Sequence, residues 1–168
     1  MKITIRRALP EDAFEYAACH IASWRSAYNG IVPDEFLDSL SANDRAERMK
    51  KNMSERKAYA YYCAICEKEI VGVLIIGKSS DESKAGAGEI SAIYLVQAFW
   101  GKGFGKEMMD YALDTLKRDG YDEAILWVLE ENKRARRFYE KCGFAFDGAK
   151  KAIEIGKVLT EMRYVRCL

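Results

Sequence analysis

The sequence predicts one α+β (mixed α/β) domain over residues 1–168, with about four helices packed on a mostly antiparallel sheet of about seven strands. Three observations predict this class. The chain has the length of a single domain, without a linker or repeat. Its elements read as a strand, two helices, three strands, a helix, a strand, a helix and two strands. One late strand is also a continuous apolar run, which is typical of a strand paired in parallel.

The first third of the chain predicts one strand and two helices. Residues 3–6 alternate apolar and polar side chains, as in a short strand. Apolar residues recur at helical spacing over 14–28, and Gly30 is a natural stop for that helix. A second helix is expected to begin at Pro33, because a fixed φ suits the first helical turn. The polar segment 41–56 could continue this second helix.

The middle of the chain predicts a hairpin. Residues 58–66 and 70–76 are rich in β-forming side chains and are separated by the charged turn 67–69, which favours antiparallel pairing. Residues 77–88 are small and polar, so a flexible surface connection is expected there.

Residues 89–107 combine a strand, a glycine cluster and the start of a helix. The strand is expected at 90–96 and is followed by Gly101, Gly103 and Gly105, then by an amphipathic helix that ends near Gly120. Glycines allow backbone N–H groups to approach an anion closely, and the first helical turn adds unpaired donors. This junction therefore predicts a phosphate-binding site.

The last third predicts a buried strand, a helix and two strands. The apolar run is at 124–129, and the helix that precedes it provides the crossover that parallel pairing needs. A helix is expected at 132–141 with Gly143 as its stop. Two final strands are expected at about 144–155 and 158–166.

Composition limits the classes of partner. Lys plus Arg number 27 and Asp plus Glu number 26, so a net charge of +1 predicts neither a nucleic acid nor a membrane surface as partner. No apolar run approaches the roughly 20 residues that a membrane helix requires. Five cysteines, an odd number, and the lack of an apolar leader near the first residue favour a reducing, cytoplasmic compartment.

Cys63 and Cys66 form a single CxxC pattern, which is found in zinc and redox sites. No second CxxC is present, and His20 is the chain's one histidine. We therefore expect buried thiols in a strand and no metal site.

Two common glycine motifs fail at positions that they require. A dinucleotide-binding GxGxxG that starts at Gly101 would need a third glycine where the chain has Lys106. A P-loop would need glycine at Trp100 and serine or threonine at Glu107.

A third possibility comes from resemblance. The segment YLVQAFWGKGFGKEMMD, followed about 30 residues later by ENKRARRFYEKCGF, resembles the GNAT superfamily of N-acetyltransferases, and the resemblance covers nearly the whole chain. In the family motif R/Q-x-x-G-x-G/A, Gly103 and Gly105 match, whereas Trp100 occupies the first position. Because the family binds phosphate mostly through backbone N–H groups, this departure affects a side-chain contribution more than the site itself, and the indole could cover the bend instead.

The resemblance implies a GNAT-like fold in which the parallel fourth and fifth strands splay apart, and it implies acetyl-CoA (CoA) as cofactor. The expected pyrophosphate site consists of Gly101, Lys102, Gly103, Phe104, Gly105 and Lys106. Backbone groups of Ile93, Tyr94 and Leu95 match the positions that bind pantetheine and polarise the thioester. Asn132 matches the asparagine that contacts pantetheine, although asparagine at a helix start is also a common N-cap.

The resemblance also suggests catalytic residues. Tyr139 matches the tyrosine that can protonate the departing thiolate, with core packing as the alternative. Some members place a base at the position of Glu89, which could otherwise be a solvated carboxylate. A base or a water chain is needed because an alkylamine with a pKa near 10.4 is mostly protonated at neutral pH.

The acceptor side is the least defined. Trp24 and Tyr28, one helical turn apart, either line the acceptor cleft or belong to the core. The resulting expectation is an acetyl-CoA-dependent N-acetyltransferase that acts directly on a primary amine of a small molecule or peptide, in a fold compatible with a homodimer. The alternative is a catalytically weak, CoA-binding regulatory or structural module of the same fold.

Overall fold

The computed structural model describes residues 2–55 and 58–168. The strands are β1 (Thr4–Arg7), β2 (Tyr59–Cys66), β3 (Glu69–Lys78), β4 (Gly88–Leu95), β5 (Glu123–Leu129), β6 (Ala145–Glu154) and β7 (Val158–Cys167). The helices are α1 (Ala13–Ala27), α2 (Asp34–Asp38), α3 (Ala42–Ser54), α4 (Phe104–Arg118) and α5 (Lys133–Lys141).

The strands form one seven-stranded sheet in the order β1-β2-β3-β4-β5-β7-β6. All neighbours are antiparallel except β4 and β5, which are parallel as predicted. These two strands pair only at Gly88 with Ala124 and at Glu89 with Ile125. Beyond those pairs β4 and β5 separate, and the separation opens a gap in the middle of the sheet.

Helices cover both faces of the sheet. Helices α4 and α5 pack on one face over a core that includes Leu74, Met108 and Tyr164. Helices α1 and α3 pack on the opposite face, where Tyr16 is fully buried and its hydroxyl donates to the Leu74 carbonyl over 3.1 Å. The segment after α1 forms a third apolar cluster with the ends of β5, β6 and β7. The helices on the two faces of the sheet are therefore stabilised by separate apolar cores.

Most predicted elements are confirmed, with one difference in the helices. Within the segment 41–56, whose last residue lies outside the described ranges, α3 is a separate helix that does not continue α2. Ser41 starts it as an N-cap, because the Ser41 hydroxyl accepts a hydrogen bond from the Asp44 N–H over 3.2 Å.

The connection between β3 and β4 is shorter and better anchored than its composition suggests. Strand β3 extends to Lys78, and a 3-10 turn follows at Glu82–Lys84. Arg163 of β7 donates to the Asp81 carboxylate over 2.7 Å and to the Ser83 hydroxyl over 2.6 Å. These contacts tie the connection to the far half of the sheet.

Cys63 and Cys66 are buried thiols in β2, as predicted, and they belong to cores on opposite faces of the sheet. Within the described ranges, none of the helices combines the length and hydrophobicity needed to span a membrane.

Candidate active site

A cavity of about 450 Å³ lies at the gap between β4 and β5. Its wall includes residues of α1 from one face of the sheet and residues of α4 and α5 from the other. The cavity therefore connects the two faces, so that molecules bound on opposite sides of the sheet could meet within it.

The glycine loop before α4 forms one end of the cavity. Gly101 and Gly103 have φ values of +74° and +87°, in the left-handed region that favours glycine. Within the described chain, the N–H groups of residues 101–105 donate no hydrogen bond. Consecutive free amides at a helix N-terminus form a concave anion-binding site. The Lys106 N–H, however, donates to the Gly103 carbonyl over 2.9 Å, so the run of free amides ends one residue earlier than expected.

Trp100, the departure from the family motif, closes the bend. Its indole N–H donates to the Leu95 carbonyl over 2.6 Å, and the Arg134 guanidinium carbon lies 3.3 Å from the centre of its ring. Both side chains line the cavity beside the glycine loop. The Leu95 carbonyl therefore already accepts one hydrogen bond. Ile93, Tyr94 and Leu95 all line the gap, on a part of β4 that has no β5 partner.

Arg134 is a cavity residue that the sequence analysis missed. Burial lowers the pKa of its guanidinium, and no carboxylate within the described residues pairs with it. Arg134 is nevertheless an exposed residue, and a cation without a carboxylate partner in the described chain, next to free amides, suits a bound phosphate. The signal was present in the sequence, because Arg134 lies two positions after Asn132 in the same motif.

Asn132 was predicted either to cap α5 or to contact the cofactor, and the capping role is visible in its hydrogen bonds. Its side-chain oxygen accepts from the Ala135 N–H over 3.1 Å and so caps α5. The residue also lines the cavity. Capping uses the oxygen and leaves the amide NH₂ group for a ligand.

Tyr139 lies at the cavity wall near the gap. Its ring packs 5.5 Å from the ring of Phe138 and 6.3 Å from that of Phe144, measured between centroids. Within the described chain its hydroxyl makes no hydrogen bond. Burial raises the pKa of Tyr139, with a further rise from Tyr94, so the phenol keeps its proton at neutral pH.

Tyr28 and Tyr94 join the two sides of the cavity. Their hydroxyl oxygens are 2.6 Å apart, and both residues line the wall. Burial raises the pKa of each hydroxyl. Trp24 is not part of the wall. It lies behind the pair, with its ring 5.1 Å from Tyr28 and 6.3 Å from Tyr94 between centroids, so the predicted aromatic pair divides into one wall residue and one supporting residue.

Three other predicted site residues lie off the cavity wall. Glu89 accepts hydrogen bonds from the Ser80 N–H over 2.9 Å, the Ser80 hydroxyl over 3.2 Å and the Tyr59 hydroxyl over 3.4 Å. The Lys102 side chain lies over an aromatic ring of the preceding turn, and Phe104 is buried in the core. Lys102 and Phe104 could therefore contact a ligand only through their backbone N–H groups, which have no hydrogen-bond partner in the described part of the chain.

Sequence reasoning also missed two residues on the α1 face. Trp127 lines the cavity, although its place in a continuous apolar run suggested core packing. Glu161 of β7 lies nearby with a side chain only 15% exposed, and burial raises the pKa of its carboxyl. Nothing in the alternation of β7 distinguishes Glu161 from an ordinary surface carboxylate.

Comparison with known proteins supplies a family match. The sequence profile of the acetyltransferase (GNAT) family matches residues 21–144. An uncharacterised N-acetyltransferase of Bacillus subtilis, YuaI, is 29% identical over 131 residues, which cover 77% of this chain and 73% of that protein. A spermidine N(1)-acetyltransferase of Thermoplasma acidophilum is 24% identical over 148 residues, which cover 86% of this chain and 89% of that protein.

Solved structures share the fold. The PaiA N-acetyltransferase of Thermoplasma acidophilum, in complex with coenzyme A, aligns over 100% of both chains with a TM-score of 0.81 and 20% identity. YncA of Salmonella typhimurium, with its cofactor acetyl-CoA, aligns over 100% of this chain and 95% of its own, with a TM-score of 0.73 and 17% identity. The predicted fold class is confirmed.

Proposed function

The chain belongs to the acetyltransferase (GNAT) family, whose members use acetyl-CoA, and from this premise we propose that it acetylates a primary amine of a small molecule or peptide. One observation carries the proposal. A single cavity joins a run of free backbone amides on one face of the sheet to a pair of tyrosine hydroxyls reached from the other face. A donor and an acceptor bound on opposite sides would then meet at the gap.

The residues present suit acetyl-CoA, which supplies an activated acetyl thioester when bound. The free N–H groups of 101–105 would hold the pyrophosphate, and each charge-assisted hydrogen bond is worth about 1.5–3 kcal/mol, compared with roughly 0.3–1 kcal/mol for the helix dipole. Arg134 adds a cation at the same wall. Backbone groups of Ile93 and Tyr94, with the Asn132 amide, would orient the pantetheine arm.

Direct transfer requires a net movement of one proton from the amine nitrogen to the departing sulfur. The amine nitrogen forms the new C–N bond, the C–S bond breaks, and the proton lost by nitrogen balances the one gained by sulfur. Tyr139 is proposed to supply the proton to sulfur, because it lies on the cavity wall and its hydroxyl has no competing partner among the described residues.

Glu89 remains the proposed base for the amine, although its carboxylate lies off the cavity wall. A water would have to link it to the acceptor. Glu89→Gln is expected to lower kcat/KM most steeply at the lower end of the pH range, where less amine is neutral. A kcat/KM equal to that of the wild type across this range would exclude Glu89 as the base.

Acetyl transfer itself can be tested with purified protein, acetyl-CoA and a panel of acceptors. The panel should contain monoamines, spermidine, amino acids and a lysine-containing peptide, and the readouts are thiol release and one added acetyl group on the acceptor by mass. We expect thiol release that depends on the acceptor. Failure to bind CoA by calorimetry would refute the proposal.

One observation favours a second candidate, a catalytically weak CoA-binding module. Trp100 donates to the Leu95 carbonyl, so a backbone acceptor near the gap already carries one internal hydrogen bond that a ligand would have to share. Tight acetyl-CoA binding without transfer to any acceptor in the panel would favour this module over the enzyme.

A further inference from the structure

Three neighbouring strands bring an aromatic ring, a carboxylate and an ammonium together beside the cavity. Lys151 of β6 is the cross-strand partner of Glu161 on β7, and Arg163 on the same strand is the partner of Trp127 on β5. The Lys151 Nζ lies 4.0 Å from the centre of the Trp127 ring and 3.5 Å from the Glu161 Oε2. An aromatic face beside a carboxylate is the chemistry that recognises an alkylammonium ion, and here the protein's own lysine occupies it.

The contact between Lys151 and Glu161 is loose. Its 3.5 Å separation is longer than the 2.7–2.9 Å of a charge-assisted hydrogen bond. The Lys151 side chain is 47% exposed, whereas that of Glu161 is 15% exposed. Lys151 can therefore swing into water at little cost, while the less exposed carboxylate stays beside the ring contact that the ammonium leaves.

Arg163 does not take that place. Its guanidinium lies 5.7 Å from the centre of the Trp127 ring, but it is held by Asp81 over 2.7 Å and by Asp147 over 2.8 Å. Two carboxylates neutralise this arginine and fix it, so it neither repels an incoming cation strongly nor satisfies Glu161.

The position beside Trp127 is separate from the point of transfer. Trp127 lines the cavity on the α1 side, and the Tyr28–Tyr94 hydroxyl pair lies on the same wall. Tyr139 lies on α5, which packs on the opposite face of the sheet. The position beside Trp127 and the proposed acid are therefore on opposite sides of the gap.

We propose that Trp127 and Glu161 form an ammonium-binding subsite at the acceptor end of the cavity, so that the preferred acceptors are diamines or polyamines. One nitrogen, neutral, reacts at the gap, and a second, charged, displaces Lys151 from the ring and the carboxylate. The inference rests on the proposed acetyl-transfer function and specifies its acceptor class.

The test compares 1,4-diaminobutane with butylamine, which has the same carbon chain and lacks the second ammonium. The wild type is expected to have a kcat/KM for the diamine at least about 10-fold above that for the monoamine, which corresponds to a cation site worth about 1.4 kcal/mol. Glu161→Gln should lower this diamine-to-monoamine ratio about 10-fold or more, because it removes the charge and keeps the shape. Lys151→Met removes the competing ammonium and should lower KM for the diamine several-fold.

Glu154→Gln is the matched control. Glu154 is an exposed carboxylate on β6, so its loss removes the same charge from the same hairpin and should leave the ratio unchanged. A wild-type ratio near one would overturn the inference, and so would a Glu161→Gln variant that lowers both rates equally, because that pattern indicates a structural role.

A failure of the proposed acetyl transfer can be distinguished from a failure of the ammonium-binding subsite. If the protein binds acetyl-CoA and acetylates no amine, the proposed function fails, and calorimetry with 1,4-diaminobutane still tests the subsite. Binding that Glu161→Gln weakens at least about 10-fold would support the subsite, and equal binding to both proteins would refute it.

Discussion

Tyr139→Phe separates a role in proton transfer from a role in packing. The substitution deletes one oxygen and keeps the ring, so the packing against Phe138 and Phe144 is preserved. Because the Tyr139 hydroxyl has no hydrogen-bond partner in the described chain, its loss leaves no unpaired group behind. We therefore expect the free energy of unfolding to change by less than about 0.5 kcal/mol.

Turnover should respond far more strongly. A positioned general acid contributes roughly 10²–10⁴-fold, which corresponds to about 2.7–5.4 kcal/mol of barrier. The assay is thiol release at saturating acetyl-CoA and acceptor, combined with calorimetry for the cofactor and urea unfolding for stability. We expect kcat to fall by at least about 100-fold, with a Kd for acetyl-CoA close to that of the wild type.

Tyr111→Phe is the matched control, since Tyr111 packs against Tyr62 away from the cavity. It should change none of the three quantities. A Tyr139→Phe variant that keeps wild-type kcat would refute the acid role, and one that loses stability and turnover together would assign Tyr139 to the core.

Three further perturbations test the loop and the fold. Trp100→Phe removes the indole N–H at the bend and should cost about 0.5–1.5 kcal/mol in urea unfolding; a loss of acetyl-CoA affinity beyond about tenfold would contradict phosphate binding mainly by the backbone. Gly103→Ala places a Cβ on a residue with left-handed backbone, which should destabilise the fold by about 1–2 kcal/mol and lower Tm. Gly105 has an ordinary φ, so Gly105→Ala should not lower Tm, and equal Tm values for the two variants would refute the strain at Gly103. Hydrogen bonding from Arg6 holds the pKa of Asp12 below its usual range. Asp12→Asn should therefore lower the free energy of unfolding in urea at pH 7, by about 1 kcal/mol or less because Arg6 is exposed. That difference should disappear as the pH falls through the lowered pKa of Asp12, and a constant difference down to about pH 2 would exclude the linkage.

Much of the architecture was accessible from sequence because it depends on local periodicity. The hairpin turn is an example, since Glu67 and Lys68 adopt φ values of +49° and +78° where the charged break between two β-rich runs predicted a reversal. The parallel placement of β5 followed from a run without alternation, which needs cover on both faces. Ser41 shows the limit, because a single cap separated two helices that composition alone would join.

The candidate site was predictable where the chain itself brings the groups together. The glycines of the loop and Asn132 act through neighbouring backbone, so a short motif identifies them. Glu161 acquires its properties from burial and from partners on other strands, and its local sequence carries no sign of them. Trp100 is intermediate, since the indole that covers the bend was anticipated from the motif, whereas the cation that its ring receives from α5 was not.

The sequence by itself determined the class of fold, because strand and helix periodicity depends on residues a few positions apart, and the resemblance of two short motifs identified the family. The tertiary structure decided which side chains face the cavity. It placed Tyr28 at the wall and Trp24 behind it, held Glu89 away from the wall with Ser80, and brought Lys151 against both the Trp127 ring and the Glu161 carboxylate. Exposure, desolvation and charge pairing are properties of contacts between distant segments, so they arise only when the sheet assembles.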